Sequence, residues 1–306
     1  MTKKTLSLPS KNKTATKRLS SRRSTASVWV ATSSIIRSSA LDKNTRSDVC
    51  VVGAGIAGMT TAYLLAREGK SVVVVDKNAI AGGETAYTTA HLSSEIDASY
   101  RKIVQLHGEK GAQLAAQSHT AAISEIESII AREKINCDFE RLDGYLFLAH
   151  GDSEKILVEE FEATQRAKLD VMRLDGPPFN LKLGPCLRFP RQAQFHPLKY
   201  MAGLARAFKH AGGRLYAKTE AKEIKGGKSA KIKTQNGITI SAQSKHIASD
   251  RRSDRDHLTI GLLIQRSRES VLSHSQWLPF QYRTKVPLSA SERQSGWFEG
   301  DSKKCV

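Results

Sequence analysis

Cysteine is scarce in this sequence: Cys50, Cys137, Cys186 and Cys305 are four residues in 306, and each stands far from the next. No two of them have the spacing of a zinc site or a thioredoxin-type pair, which excludes thiolate metal chemistry and predicts a reducing compartment. Aromatic residues make up only 6%. No aromatic stacking pattern, zinc-finger spacing or helix-turn-helix accompanies the basic residues, so specific nucleic-acid recognition is not expected. Long apolar runs are missing as well. The one apolar patch near the N-terminus, residues 26–36, is too short and too polar to span a bilayer. Acidic residues are absent from residues 1–40 altogether.

That last absence locates the charge. The chain carries a formal net charge of +18. Residues 1–47 hold 11 Lys and Arg against one acid, residues 48–243 hold 26 against 22, and residues 244–306 hold 11 against 7. The body is nearly balanced, and most of the excess is a leader rich in Ser, Thr, Lys and Arg. Such a composition buries little apolar surface, so residues 1–47 are expected to be a disordered basic leader. The same profile fits an organellar transit peptide, the alternative to a cytoplasmic location.

The run "DVCVVGAGIAGMTTAYLLAREGKSVVVVDK", residues 48–77, carries the strongest pattern. Val49, Val51 and Val52 read as a buried parallel strand, residues 59–67 as a helix closed by Gly69, and residues 71–75 as a second strand ending in Asp76. Strand, glycine turn, helix and strand in this register form a dinucleotide-binding fingerprint. Gly53 permits the tight turn, Gly55 lets backbone approach a pyrophosphate, and Gly58 lets the helix pack closely on the strand. Ile56 and Ala57 lie in the first turn of the helix, whose N–H groups face the phosphates. Asp76, followed by Lys77, stands where a carboxylate accepts a ribose hydroxyl. The fold class is α/β, with a Rossmann-like parallel sheet.

After the second strand comes "AIAGGETAYTTAHLSS", residues 79–94. Gly82 and Gly83 give a loop that can lie close to a ligand, and Thr85, Thr88 and Thr89 supply hydroxyls. Here the chain resembles the FAD-dependent oxidoreductases of the D-amino-acid oxidase and sarcosine oxidase superfamily, in which a Gly-Gly-x-Thr/Ser loop touches the flavin. "FERLDGYLFL" (139–148) is similar to that family's early substrate-domain segment, and "QFHPLKYMAGLARAFKHAGGRLYAKTEAKEI" (194–224) to its return into the FAD domain. The resemblance covers about residues 48–242 and is nearest to the bacterial type that often carries a Rieske domain. The Cys-x-His and Cys-x-x-His pairs of a Rieske cluster are absent here. The resemblance implies FAD as cofactor and a small amine or amino acid as substrate, oxidised by hydride transfer to the flavin. His91, in the same loop, corresponds to a histidine that some relatives bond covalently to the flavin; the simpler reading is a loop histidine lining the site. It names no catalytic base and no oligomeric state.

Elsewhere, residues 107–134 predict a long amphipathic helix with Ile123, Ile126, Ile129 and Ile130 on one stripe. Asp143-Gly144 between apolar runs predicts a hairpin, and so does Gln235-Asn236-Gly237. Pro197 opens a helix, with His196 at its start and Gly212-Gly213 at its end. These elements give an incomplete FAD-binding domain over 48–95 and 190–243 and a partial α+β substrate domain over 96–189. From Gln243 the chain departs from the family: no β-branched run occurs, and residues 244–306 are expected to be a disordered tail. Two further readings stand beside the flavin enzyme. One is an inactive truncated remnant that binds FAD weakly or not at all. The other is a nicotinamide-dependent dehydrogenase, which would continue with further strand–helix units.

Overall fold

The structure is a computed structural model that describes residues 26–34, 36–148, 151–178, 184–227, 229–248 and 275–277. The first half contains α1 (Val28–Ala31), β1 (Thr45–Val52), α2 (Ile56–Arg67), β2 (Val72–Val75), β3 (His91–Leu92), α3 (Tyr100–Glu133) and β4 (Glu140–Leu148). Then come α4 (Glu154–Arg166), β5 (Met172–Leu174), β6 (Cys186–Gln194), α5 (Pro197–His210) and β7 (Arg214–Tyr216). The described chain closes with β8 (Ala221–Lys225), β9 (Ala230–Thr234), β10 (Thr239–Ile247) and β11 (Ser275–Trp277).

Two sheets organise these elements. The first has the order β7-β2-β1-β10-β9-β8. Its first four strands run parallel, and β8, β9 and β10 form an antiparallel meander. All four valines of β2 are buried, as a strand covered on both faces requires. They divide between two cores. Val72 and Val74 pack with Val51 against Met59 of α2 and Met201, Leu204 and Phe208 of α5. Val73 and Val75 pack on the opposite face with Cys50, Ile232 and Ile240. Burial pushes the Cys50 thiol up to about 12, so it is an inert core residue, as expected.

The second sheet, β11-β4-β6-β3 with β5 also on β6, carries α3 and α4. Its buried centre is Leu146, Leu157, Val171, Leu187 and Phe189. The long helix begins earlier than expected, at Tyr100, and kinks at Gly108, whose φ of 69° is non-helical. Ile123 and Ile129 are buried and Ile126 and Ile130 half-buried, on the stripe the sequence predicts.

Four expectations are corrected. Asp143-Gly144 is no hairpin: β4 runs through it, pairing with β6 on both sides of an irregularity between Leu142 and Gly144. The Asp143 carboxylate is drawn across to β6, where Oδ2 meets Arg188 at 2.6 Å and Oδ1 accepts the Arg191 N–H at 3.3 Å. An ion pair therefore marks a bulge where the local composition spelled a turn.

The leader is not wholly disordered, because residues 26–47 contain α1, the start of β1 and the buried Leu41. Nor does order end at residue 243. Strand β10 pairs with β1 from Ile240 through Ile247, although β9 accompanies it only from Thr239 to Ala242. Beyond Ala242 it has a neighbour on one side only among the described residues, so its polar residues keep an open flank and no apolar run is needed. The expected domain boundary at residue 243 thus falls inside a strand. Ser275–Trp277 adds β11 beside β4; the remaining residues of the expected tail, like residues 1–25 of the leader, lie outside the described residues.

The expected turn at Gln235-Asn236-Gly237 does join β9 to β10, with Gly237 at φ 80°. Among the described residues the first sheet has one further helix–strand unit, α5 and β7, and then continues with the antiparallel meander β8–β10 in place of more strand–helix alternation.

Candidate functional site

The glycine turn lies between β1 and α2. Gly53 has φ 107°, a conformation that side chains resist, and its N–H donates to the Val75 carbonyl at 2.8 Å. A Cβ on Gly58 would lie 2.0 Å from the Gly53 carbonyl oxygen, so helix and turn are in backbone contact. Gly55 caps α2 without a side chain. The Ile56 N–H donates instead to Thr85 Oγ1 at 3.2 Å, and a Cβ on Gly55 would meet that same oxygen at 3.3 Å. Ala57 and Gly58 complete the first turn, whose N–H groups an α-helix leaves without intrahelical acceptors.

Asp76 follows β2 and reaches back to this turn. Its Oδ2 accepts the Ala54 N–H at 2.7 Å and its Oδ1 the Asn78 N–H at 2.8 Å. Each carboxylate oxygen has a second lone pair for a hydroxyl donor. Lys77 is exposed. The end of β10 closes the other flank: the Ala248 N–H donates to the Val52 carbonyl at 2.8 Å, and Ala248 Cβ would stand 3.2 Å from a Cβ on Gly58.

The loop over residues 79–90 comes next. Ala81 and Ala90 bracket it, both buried and both in the left-handed region, at φ 58° and 65°. Gly82 and Gly83 are exposed, whereas Thr85 is buried on the helix terminus. Thr88 and Thr89 are exposed, with Thr88 Oγ1 accepting the Ala90 N–H at 3.2 Å. His91 opens β3 opposite Gln194, and burial pushes its pKa down, so the neutral ring is favoured.

The structure therefore gathers Gly53, Gly55, Ile56, Ala57, Gly58, Asp76 and Thr85 around one helix terminus. It spreads Gly82, Gly83, Thr88, Thr89 and His91 along the loop leading away, and leaves Lys77 apart. The residues fit a dinucleotide: the helix end is stripped of side chains where a pyrophosphate would sit, and a carboxylate stands beside it for a ribose.

Sequence reasoning missed a second set of residues on the same loop. Ser27 Oγ donates to the Ala86 carbonyl at 2.5 Å, and the Trp29 indole N–H to the Thr88 carbonyl at 2.8 Å. The Trp29 ring packs edge-on against His196, 5.0 Å between centroids. His196 is a helix cap, as its position before Pro197 suggests: Nδ1 accepts the Lys199 N–H at 3.3 Å. With Nδ1 accepting, the ring proton sits on Nε2 and points to Thr32 Oγ1 at 2.9 Å, which donates to the Val28 carbonyl. A lone tryptophan within a Ser- and Arg-rich leader was the available signal.

A cavity of about 290 Å³ lies in the second sheet's territory, bordered by Ser94, Glu127, Arg141, Phe189 and Gln192. Its guanidinium is engaged, since Arg141 binds Glu127 Oε2 at 2.6 Å and the Arg191 carbonyl at 2.6 Å. Among the described residues no cluster of His, Cys, Asp and Glu could hold a metal ion, and no helix is long and apolar enough to cross a membrane.

Comparison with known proteins bears on the same region. The family model described as "DAO: FAD dependent oxidoreductase" matches residues 48–248. A Bacillus subtilis (strain 168) protein named as the Rieske 2Fe-2S iron-sulfur protein YhfW is 31% identical over 215 residues, 70% of this chain and 42% of that protein. Gamma-glutamylputrescine oxidoreductase of Escherichia coli (strain K12) is 26% identical over 64% of this chain and 47% of its own length. The chain therefore spans less than half the length of either relative. Among solved structures, glycine oxidase from Geobacillus kaustophilus aligns at a TM-score of 0.53 and 23% identity, over 67% of this chain and 55% of that one. L-amino acid deaminase from Proteus vulgaris aligns at 0.54 and 19%, over 70% and 50%. These two likenesses concern the fold.

Proposed function

The chain belongs to this DAO family of FAD-dependent oxidoreductases, and on that premise we propose that it binds FAD through residues 53–91 and oxidises an amine or amino acid. The observation that carries the proposal is the meeting of Thr85 with the Ile56 N–H, because it joins the phosphate-facing turn to the loop assigned to the flavin. One ligand laid along that junction would touch both.

The residues divide the work by chemistry. Gly53, Gly55 and Gly58 keep side chains away from the pyrophosphate, and the N–H groups of Ala57 and Gly58 face its charge, while that of Ile56 is held by Thr85. Asp76 orients the ribose through its remaining lone pairs while holding the turn closed through Ala54. Gly82, Gly83, Thr85, Thr88 and Thr89 line the approach to the flavin, and His91 stands at its far end. When bound, FAD would supply the hydride acceptor for a C–H bond beside an amine, and the imine so formed would be open to hydrolysis. The relatives' printed names point to the same substrate class: a glutamylated polyamine for one, amino acids for the two solved structures. We read His91 as lining the site without a bond to the flavin.

The test uses the full 306-residue chain. Equilibrium dialysis against FAD and against NAD should show uptake of FAD alone, and the dialysed protein should absorb in the blue. Anaerobic addition of a panel of amines and amino acids should bleach that absorption for at least one of them. Acid precipitation should leave the flavin in the supernatant; yellow protein in the pellet would establish a covalent bond and overturn our reading of His91. A colourless protein with no FAD uptake would leave the chain as a non-enzymatic remnant of its family.

A further inference from the structure

The loop assigned to the flavin is held from outside its own domain sequence. Two of its carbonyls, those of Ala86 and Thr88, accept hydrogen bonds from Ser27 and Trp29. The segment that supplies them is itself fixed at both ends. Near α1, the hydrogen-bonded series from His196 through Thr32 to the Val28 carbonyl ties it to the N-terminus of α5. Further on, Ser38 donates to the Leu215 carbonyl, Ser39 accepts the Ala217 N–H at 3.0 Å, and the Leu41 N–H donates to Thr219 Oγ1 at 3.0 Å. The segment is thus a strap, anchored on α5 and the edge of the first sheet, whose leading end grips the loop.

We infer that Trp29 and Ser27 are positioning residues for the cofactor: they fix the Ala86 and Thr88 carbonyls, and thereby hold the exposed face of the loop, Gly82, Gly83, Thr88 and Thr89, in the conformation that receives the flavin. This inference rests on the FAD reading above. Three features point away from a merely structural strap. The two bonds fall on alternate residues of the loop, so they fix its path and not just its location. The loop's ends are already set by the left-handed Ala81 and Ala90, and Glu84–Ala86 by a helical turn packed on α5, leaving the exposed residues 87–89 as the part in need of support. The Trp29 ring, meanwhile, is braced by His196, so the indole N–H is aimed before any ligand arrives.

Trp29→Phe keeps a ring against His196 and removes the indole N–H, and Ser27→Ala removes the other donor. In the apo-protein, hydrogen exchange at the amides of residues 82–90 should quicken about tenfold in Trp29→Phe while those of α2 and β2 stay unchanged. The FAD dissociation constant should rise about fivefold in Trp29→Phe, the effect of one hydrogen bond, and at least as much in Ser27→Ala, which also loses the cap that accepts the Val30 N–H. The melting temperature of Trp29→Phe apo-protein should stay within about 2 °C of the parent, as one exposed bond allows. If the parent binds FAD and Trp29→Phe and Ser27→Ala bind it as tightly, the inference falls and the FAD reading stands. Lower melting temperatures with unchanged FAD affinity would likewise reduce the strap to a structural brace. A parent that takes up no FAD overturns the reading and, with it, the inference.

Discussion

Residues 26–44 and residues 45–76 adjoin in the chain, yet they are held in opposite ways. The second stretch makes its own structure. β1, the glycine turn, α2 and β2 are contiguous, and their key contacts (Gly53 to Val75, Ala54 to Asp76) close within that run. The first stretch makes almost none. Its anchors to Ala86, Thr88, His196, Lys209, Leu215, Thr219 and Thr239 lie 59 to 195 positions away. The difference teaches that a glycine-turn motif can make its own structure while the loop beside it is held by a segment with no pattern of its own.

The sharpest way to break that comparison is to remove the strap. Deleting residues 1–44 should cost about 4 kcal/mol, from the burial of Leu41 and several hydrogen bonds of about 1 kcal/mol each. An unchanged chemical-denaturation midpoint would return residues 26–44 to the disordered leader that their composition suggests. Gly58→Ala probes the self-contained side. Its Cβ would press on the Gly53 carbonyl, and backbone cannot yield as a side chain can, so a loss of about 2–3 kcal/mol is expected together with loss of FAD uptake. Gly55→Ala serves as its control: its Cβ meets only the Thr85 hydroxyl, and stability should change by less than about 1 kcal/mol while FAD affinity still falls.

A gentler discrimination comes from acid. His196, on which the strap leans, has its pKa pushed down by burial first and by Lys199 second, against an upward pull from Asp138. Burial lowers His91 and His246 in the same sense. All three bind protons more readily unfolded than folded. Their contribution to stability is therefore whole above the ordinary histidine value of about 6.5 and declines as the pH falls from there through the lower folded values. Protonating His196 would also put an N–H against the Lys199 N–H it now caps. Melting temperature should fall between pH 7.5 and 5.5, and His196→Asn, which keeps a helix-capping acceptor, should flatten part of that fall. An undiminished slope in His196→Asn would remove His196 from the account.

What the sequence disclosed follows the same division. The motif at 48–77 and the turn at Gln235-Asn236-Gly237 were legible because neighbouring residues fix them. Asp143-Gly144 was misread because its partner, Arg188, lies 45 positions on. The end of β10 was missed because one open flank spares it the apolar run that marks a buried strand. Of the candidate site, the turn that brings Gly53, Gly55, Gly58 and Asp76 together was readable from glycine spacing, and the presence of Thr85 beside it from its place in the loop. Trp29 and Ser27 were not, since nothing local announces which distant carbonyl a donor will meet.

The left-handed alanines at 81 and 90 carry a kinetic consequence. Such conformations cost about 1 kcal/mol or more each, and that cost falls due when the chain folds. On the proposed FAD reading, a loop whose ends are settled beforehand would not have to search when the ligand reaches it, so substitutions around it should act on residence time. Relaxing either alanine to glycine would ease the folded chain, while the glycine would widen the conformations its unfolded form can visit. If the loop receives FAD as proposed, its variants should accordingly differ in how long they keep FAD far more than in how quickly they take it up.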